Sequence, residues 1–250
     1  MDVKRNILLK IEYCGREFSG WQSQKNERTV QTVIRQTLEK FLGHNISLIA
    51  AGRTDSGVHA LGQYANFHTI HSLPAEKIMN KLNKMLPRDI VIKGCCQVSL
   101  QFNSRKDAIY RSYRYIMCER NSALKQGFDW VIGRPFDINR LSHMASIIAC
   151  SQYFHNFCKT KSLKSDNRCQ IQSAAWKRLH SELIFEITAN RFLHHMVRLL
   201  IGSMVAVTDG KLDKDKFEKM FEKDVDDKAT YIAPPDGLYL VDVQYEGIKL

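Results

Sequence analysis

The first hundred residues change hydrophobic period in a fixed order, and that order narrows the fold more than any other feature of the chain. Val3 to Tyr13 carries Ile7, Leu8, Leu9, Ile11 and Tyr13, a short apolar run that reads as a strand. From Thr29 the spacing becomes helical. Val30, Val33, Ile34, Leu38, Phe41 and Leu42 fall on one face, with Thr29 placed as N-cap and Gly43 as the glycine just past the end. Strand-like sequence returns near Ile46 to Ala51 and again from Gln63 to Thr69. Pro74 then opens a second helix through Ile78, Leu82, Met85 and Leu86, Pro87 ends it, and Ile90 to Val98 reads as a strand. The succession β-α-β-β-α-β is the ferredoxin-like order, an α+β class.

The second half repeats the mixture without repeating the sequence. A strongly β segment runs from Ala108 to Met117, and a helix follows from about Asn139 to Cys150. Strands are expected at Ile171 to Leu179 and Leu183 to Ala189, and a long apolar helix from about Phe192 to Val207. A short amphipathic helix covers Asp213 to Phe221, and Gly237 to Tyr245 closes as a strand. The expected organisation is an N-terminal half, residues 1–102, and a C-terminal half, residues 103–250. The similar α+β content of the halves is compatible with an internal duplication.

Lys and Arg total 37 against 26 for Asp and Glu, a net charge of +11. Such an excess suits a polyanionic partner, because each phosphate that is neutralised releases condensed counterions. The charges are dispersed rather than gathered in a tail, so folding must assemble any footprint. One basic stretch, Cys158 to Arg168, reads either as a solvated loop or as an arm that touches a phosphate backbone. No window approaches the roughly 20 apolar residues of a membrane helix. The chain also enters strand-like sequence without a signal-peptide core, so a cytoplasmic protein is expected. Seven cysteines, none in a C-x-x-C pair, read as reduced thiols. Cys158, Cys169 and His155 could be drawn as a metal site, but that spacing is not diagnostic, and no metal is expected.

The segment Gly52-Arg53-Thr54-Asp55-Ser56-Gly57-Val58-His59-Ala60 places a guanidinium, a carboxylate and an imidazole between two glycines. Glycines there permit a tight course and close approach of a ligand. A carboxylate can act as nucleophile or base, and a guanidinium two residues away can hold a phosphate. The same residues also make an ordinary turn, since Asp and Ser before Gly are common turn formers.

Gly52 to Ala60 resembles the catalytic motif of the tRNA pseudouridine synthase A (TruA) family. That motif is glycine-arginine-threonine-aspartate-x-glycine-valine-histidine-alanine, and every fixed position matches. Gly20-Trp21-Gln22 with Arg28-Thr29-Val30-Gln31 is similar to the family's N-terminal signature, and Tyr113-Arg114-Tyr115 to its tyrosine-arginine-tyrosine strand. Phe192-Leu193-His194-His195-Met196-Val197-Arg198 with Gly202 resembles its C-terminal helix motif. Pro235-x-Gly237-Leu238-Tyr239-Leu240 resembles its closing strand. The resemblance runs through nearly the whole chain. It departs at Lys25, where proline is usual, and around Gln152 to Phe157, where a histidine-aspartate-phenylalanine stretch is common.

The resemblance implies two ferredoxin-like halves sharing one continuous, mostly antiparallel sheet with helices packed on it, and an RNA-binding cleft between the halves. It also implies isomerisation of uridine to pseudouridine in the anticodon stem-loop of tRNA, typically at positions 38 to 40, by a homodimer that uses no cofactor and no metal. Carried over by motif position, Asp55 is the catalytic carboxylate and Tyr113 stacks on the target base. Arg53 helps hold the flipped nucleotide, and Arg198 pairs with Asp55.

Two of these roles meet alternatives in the residues themselves. Tyr113 can equally be a sheet tyrosine. Arg198 sits among Leu193, Met196, Val197, Leu199, Leu200 and Ile201, where a guanidinium must find a partner or reach solvent along its stem. His59 reads as a structural hydrogen-bonder rather than a base. A non-catalytic chaperone of tRNA stem-loops would use the same basic surface and is the rival reading. A nuclease is disfavoured, because no carboxylate cluster suggests a two-metal site.

Overall fold

The structure is a computed structural model of the chain, and it describes residues 4–159 and 166–250. The elements run β1 (Arg5–Tyr13), α1 (Val30–Leu42), β2 (Ile49–Ala50), β3 (His59–Thr69), α2 (Ala75–Met85), β4 (Ile90–Val98) and β5 (Tyr110–Cys118). They continue with β6 (Trp130–Val131), α3 (Ile138–Cys150), β7 (Ile171–Leu179), β8 (Glu182–Ala189), α4 (Met196–Thr208), α5 (Lys214–Lys219) and β9 (Leu238–Gln244). Two compact units divide the chain: Met1–Ile109 with Tyr239–Leu250, and Tyr110–Leu238. Both are α+β, the class expected from the sequence.

In the first unit β1 pairs antiparallel with β4 on one side and β3 on the other, and β2 pairs antiparallel with β3. The resulting order β4-β1-β3-β2 is that of a ferredoxin-like sheet. The helices cover it through faces set by their spacing. Val30, Ile34, Leu38 and Leu42 of α1 are buried, as are Ile78 and Leu82 of α2. Ile7, Leu8, Leu9 and Ile11 of β1 are fully buried, Leu8 on the face opposite the other three. Each such side chain contributes about 1.5–3 kcal/mol relative to exposure. Thr29 caps α1 by accepting from the Thr32 N–H, and Gly43 ends it at φ 76°, donating to the Glu39 carbonyl at 3.0 Å. β2 is only two residues long, shorter than the apolar run around it suggests.

A strand from the other end of the chain completes this unit. β9 runs parallel to β3, with Tyr239 opposite His59 and Leu240 opposite Ala60. The Tyr245 hydroxyl donates to the Ser104 carbonyl at 2.7 Å, and the Tyr245 ring meets Tyr64 and Phe102 edge-on. Ser104 in turn belongs to a buried polar network in which Asn66 donates to Asn6, and Ser104 donates to Asn66 through both its N–H and its hydroxyl. A network satisfied in this way adds specificity without the cost of orphaned polar groups.

In the second unit β8 pairs antiparallel with β5 and β7, and β6 pairs parallel with β5. α4 is buried at almost every position from Met196 to Ala206. An aromatic cluster of Phe154, Phe157, Phe217 and Phe221 fills the space near α5, with Phe157 stacked on Phe221 at 4.6 Å.

Asn156, fully buried, is the polar hub of this region. Its amide donates to the carbonyls of Met220 (3.0 Å) and Val225 (2.8 Å), and its side-chain oxygen accepts from Asp227 N (3.1 Å) and Lys228 Nζ (3.2 Å). A carboxylate there could not donate, so the sequence departure near Phe157 carries a structural role. Residues 160–165 of the basic stretch Cys158 to Arg168 lie outside the described residues.

One boundary corrects the sequence reading. The apolar helix begins at Met196, not Phe192, because His195 takes a left-handed conformation at φ 68°. Leu193 to Met196 therefore form a turn ahead of α4, with the Met196 N–H donating to the Leu193 carbonyl (3.1 Å). His194 and His195 thus lie ahead of the helix, with their rings 4.2 Å apart.

Candidate active site

The loop between β2 and β3 is held from several directions within the first unit. At its entry the Ala51 N–H donates to the Tyr64 carbonyl (2.8 Å), and the Gln63 amide donates to the Gly52 carbonyl (2.9 Å). In the middle the Trp21 N–H donates to the Thr54 carbonyl (3.1 Å), and the Thr54 hydroxyl meets the Tyr13 hydroxyl (2.7 Å). Asp55 to Val58 form a tight turn, with the Val58 N–H donating to the Asp55 carbonyl (3.2 Å) and Gly57 at φ 80° in the third position. Ser56 Oγ and the Gly57 N–H both donate to the Phe18 carbonyl.

The glycine-rich segment Gly15 to Trp21 thus serves as a clamp for this loop. Gly20, at φ 86°, lies so close that a Cβ there would stand 2.7 Å from the Thr54 carbonyl oxygen and 3.1 Å from the Asp55 carbonyl carbon. Only glycine satisfies both the backbone angle and the approach. The exit of the clamp starts α1, where Val30 N–H and Gln31 N–H donate to the Gly20 and Trp21 carbonyls.

The turn presents Asp55 half-buried and Arg53 exposed, while Thr54 and His59 are buried. His59 accepts from the Gly15 N–H at Nδ1 (3.2 Å), and its ring stacks on Tyr239 with centroids 4.7 Å apart. It holds the clamp to β9, the structural part that its sequence position suggests.

Tyr113 and Arg198 belong to the second unit. Tyr113 is half-buried on β5 opposite Ile187, and Phe192 meets its ring edge-on at 5.0 Å. The contact leaves the ring propped by an aromatic edge, a favourable arrangement for pairs of this kind. Arg198 is half-buried in the first turn of α4. Its Nε donates to the Ala233 carbonyl (2.8 Å), and its own carbonyl accepts from the Ala233 N–H (3.0 Å). Sequence reasoning missed this partner, since nothing in a run of Ala and Pro advertises a carbonyl aimed at a guanidinium.

The same stretch, Tyr231 to Gly237, accounts for two further motif residues. Gly202 faces the Tyr231 carbonyl so closely that no side chain fits, and Gly237 faces the Ile116 carbonyl and the Tyr115 ring. The Tyr115 hydroxyl donates to the Pro234 carbonyl (2.9 Å). Burial pushes its phenol well above the ordinary value, against the pull of the Arg198 guanidinium.

The thiols drawn as ligands on paper have other surroundings. Burial raises Cys158 and pushes Cys169 up to about 12. Cys169 packs against the Met196 sulfur, and His155 Nε2 bonds the Val225 carbonyl at 2.7 Å. Buried protonated thiols and a committed imidazole do not suit a cation.

Comparison with known proteins gives these arrangements a context. The sequence pattern of the family described as tRNA pseudouridine synthase matches residues 10–105 and 149–246. These spans contain the clamp, the Gly52 to Ala60 loop, α4 and β9. A protein of Thermoanaerobacter sp. (strain X514) named tRNA pseudouridine synthase A is 35% identical over 243 residues, covering 96% of this chain and 100% of its own. Relatives of the same name from Acetivibrio thermocellus and Caldicellulosiruptor saccharolyticus are 36% and 37% identical over 96% of this chain and 100% of theirs. Among solved structures, that of a Cbf5-Nop10-Gar1 complex aligns to 83% of this chain and 54% of its own at 9% identity and a TM-score of 0.31, too distant to carry an argument. With one family pattern across both units and identity above a third over nearly the full length, the chain belongs to the tRNA pseudouridine synthase family.

Proposed function

We propose that this protein isomerises uridine to pseudouridine in the anticodon stem-loop of tRNA, at positions 38, 39 and 40, with Asp55 as its catalytic carboxylate. The observation that carries the reading is the half-buried Asp55 carboxylate between two peptides whose carbonyls, those of Thr54 and Asp55, each accept a backbone hydrogen bond. A reacting group gains from being fixed before the substrate arrives, because less orientation remains to be lost in the transition state.

The reaction breaks the N1–C1′ bond, turns the uracil and joins C5 to C1′, while C5 gives up a proton and N1 gains one. Atoms balance within the nucleotide, so no cosubstrate is consumed. The carboxylate acts at the ribose or at C6 of the base, as nucleophile or as base. A stacked uridine must first leave the stem-loop, at a cost of a few kcal/mol. Tyr113 offsets that cost by stacking on the extruded base and Arg53 by holding its phosphate, while Arg198 pairs with Asp55 and keeps its carboxylate oriented. The enzyme works as a homodimer in the cytoplasm. Among the described residues no helix is long and apolar enough to cross a membrane.

Purified protein incubated with tRNA, followed by site-resolved pseudouridine sequencing, tests the reading. Asp55→Ala is expected to lower the rate by at least about 100-fold, in the range of a lost acid–base group or more, with tRNA binding largely kept. Full activity in that variant would remove Asp55 from its role. Unmodified tRNA bound by the wild-type protein would favour the chaperone reading, and a monomeric mass in light scattering would refute the dimer.

A further inference from the structure

The strand that leads into the clamp is irregular on both edges at one place. β1 pairs with β3 in register from Arg5↔Thr69 to Ile11↔Gln63 and then slips to Tyr13↔Ala60. On its other edge the pairing with β4 slips between Lys10 and Ile11. The extra residues stand on the partner strands, at Leu61 and Gly62 opposite Glu12 and at Lys93 of β4, and such irregularities gather beside active sites. β1 itself keeps its alternation, so Tyr13 follows Ile7, Leu9 and Ile11 on one buried face and ends the strand with 3% of its surface exposed. Its hydroxyl lies 2.7 Å from Thr54 Oγ1 in the buried interior, and Thr54 immediately precedes Asp55.

Packing does not explain this pair. Phenylalanine and valine would fill the same two volumes with no polar atom to satisfy, and replacing both partners of a buried hydrogen bond by apolar groups of like shape can be nearly neutral. What the two hydroxyls add is direction. The bond fixes the Thr54 side chain while the Trp21 N–H fixes its carbonyl (3.1 Å), so the residue ahead of Asp55 is held through both its side chain and its backbone.

We propose that the buried Tyr13–Thr54 hydrogen bond sets the aim of the Asp55 carboxylate, which makes Tyr13 and Thr54 positioning residues for the isomerisation. The inference rests on Asp55 being the catalytic group. A displacement of the order of 1 Å at a reacting group costs up to about 100-fold in rate. Tyr13→Phe is therefore expected to lower kcat by roughly 10- to 100-fold, with the KM for tRNA within about twofold and the melting temperature lowered by only a few degrees, since the buried Thr54 hydroxyl loses its partner.

Thr54→Val is expected to behave alike, and the double variant to be no slower than either single one, because both remove the same bond. Thr54→Ser, which keeps a hydroxyl, should restore most of the rate that Thr54→Val loses. Wild-type kcat in Tyr13→Phe would overturn the proposal. So would a rate loss that follows loss of folded protein and is not restored by Thr54→Ser. Asp55→Ala, assayed alongside, separates the two levels. If it abolishes activity while Tyr13→Phe does not, only the positioning inference falls. If it stays active, the assignment of the carboxylate itself fails.

Discussion

Gly20→Ala tests the clamp most directly, because it combines two effects that a second glycine separates. At Gly20, φ is 86°, and an added Cβ would lie 2.7 Å from the Thr54 carbonyl oxygen. At Gly43, φ is 76°, and an added Cβ would meet nothing within 4 Å. Both changes force an L side chain into the left-handed region, at about 1–2 kcal/mol. Gly43→Ala should cost that much and no more. In Gly20→Ala the Thr54 peptide must also retreat by about 0.5 Å or more to reach ordinary contact, and such overpacking adds about 1–3 kcal/mol.

For a chain of this size 1 kcal/mol moves the midpoint by about 2–4 °C. Gly43→Ala should therefore melt about 2–8 °C lower and Gly20→Ala about 4–20 °C lower. The retreating peptide carries Asp55, so kcat should fall by roughly 10- to 100-fold in Gly20→Ala and remain at the wild-type value in Gly43→Ala. Calorimetry and a pseudouridine assay on the folded fraction measure the two quantities. Equal melting points with an unchanged kcat would mean that the clamp does not press on the loop.

Three further expectations come from other parts of the molecule. Asn156→Asp removes the donor to the Met220 carbonyl, while the Val225 carbonyl keeps the His155 ring, so a loss of about 1–3 kcal/mol is expected in urea unfolding. An unchanged midpoint would argue against the hub. At Glu186, partial burial pushes the carboxyl up, but Lys177 and Arg114 outweigh it and hold the group below its ordinary value of 4.5. A carboxyl lowered in the folded state favours folding above the unfolded value, and that gain is lost as pH falls through the folded one. The melting point should thus drop less between about pH 5 and pH 3 in Glu186→Gln than in the wild type, and equal drops would refute this. Cys150 is exposed, whereas the Cys169 thiol is buried and pushed up to about 12. Maleimide at neutral pH should label Cys150 in the native protein and Cys169 only after denaturation, as peptide mass mapping would reveal.

The elements that sequence discloses best are those whose signals are local. α1 is bounded where Thr29 and Gly43 place it, and β7 runs from Ile171 to Leu179 as its composition suggests. The start of α4 is illegible, because Leu193 and Met196 continue the apolar spacing while the backbone at His195 turns left-handed against the usual preference of a histidine. Partners far apart in sequence are also hidden. Nothing local joins Tyr13 to Thr54 across 41 residues, or aims the Ala233 carbonyl at Arg198. The motif residues are visible as a set of types at fixed spacing, whereas the contacts that hold them belong to the packing of the whole unit.

β9 gives the molecule an order of assembly. A chain leaving the ribosome has made β1 to β4, the clamp and the Gly52 to Ala60 loop well before Tyr239 exists to stack on His59 or Tyr245 to reach Ser104. All of the second unit is synthesised in between. The first unit therefore waits, with β3 unpaired at His59 and Ala60, until the second unit has been made and β9 follows it, so the His59 end of the Gly52 to Ala60 loop gains its last support only after a stretch of more distant sequence.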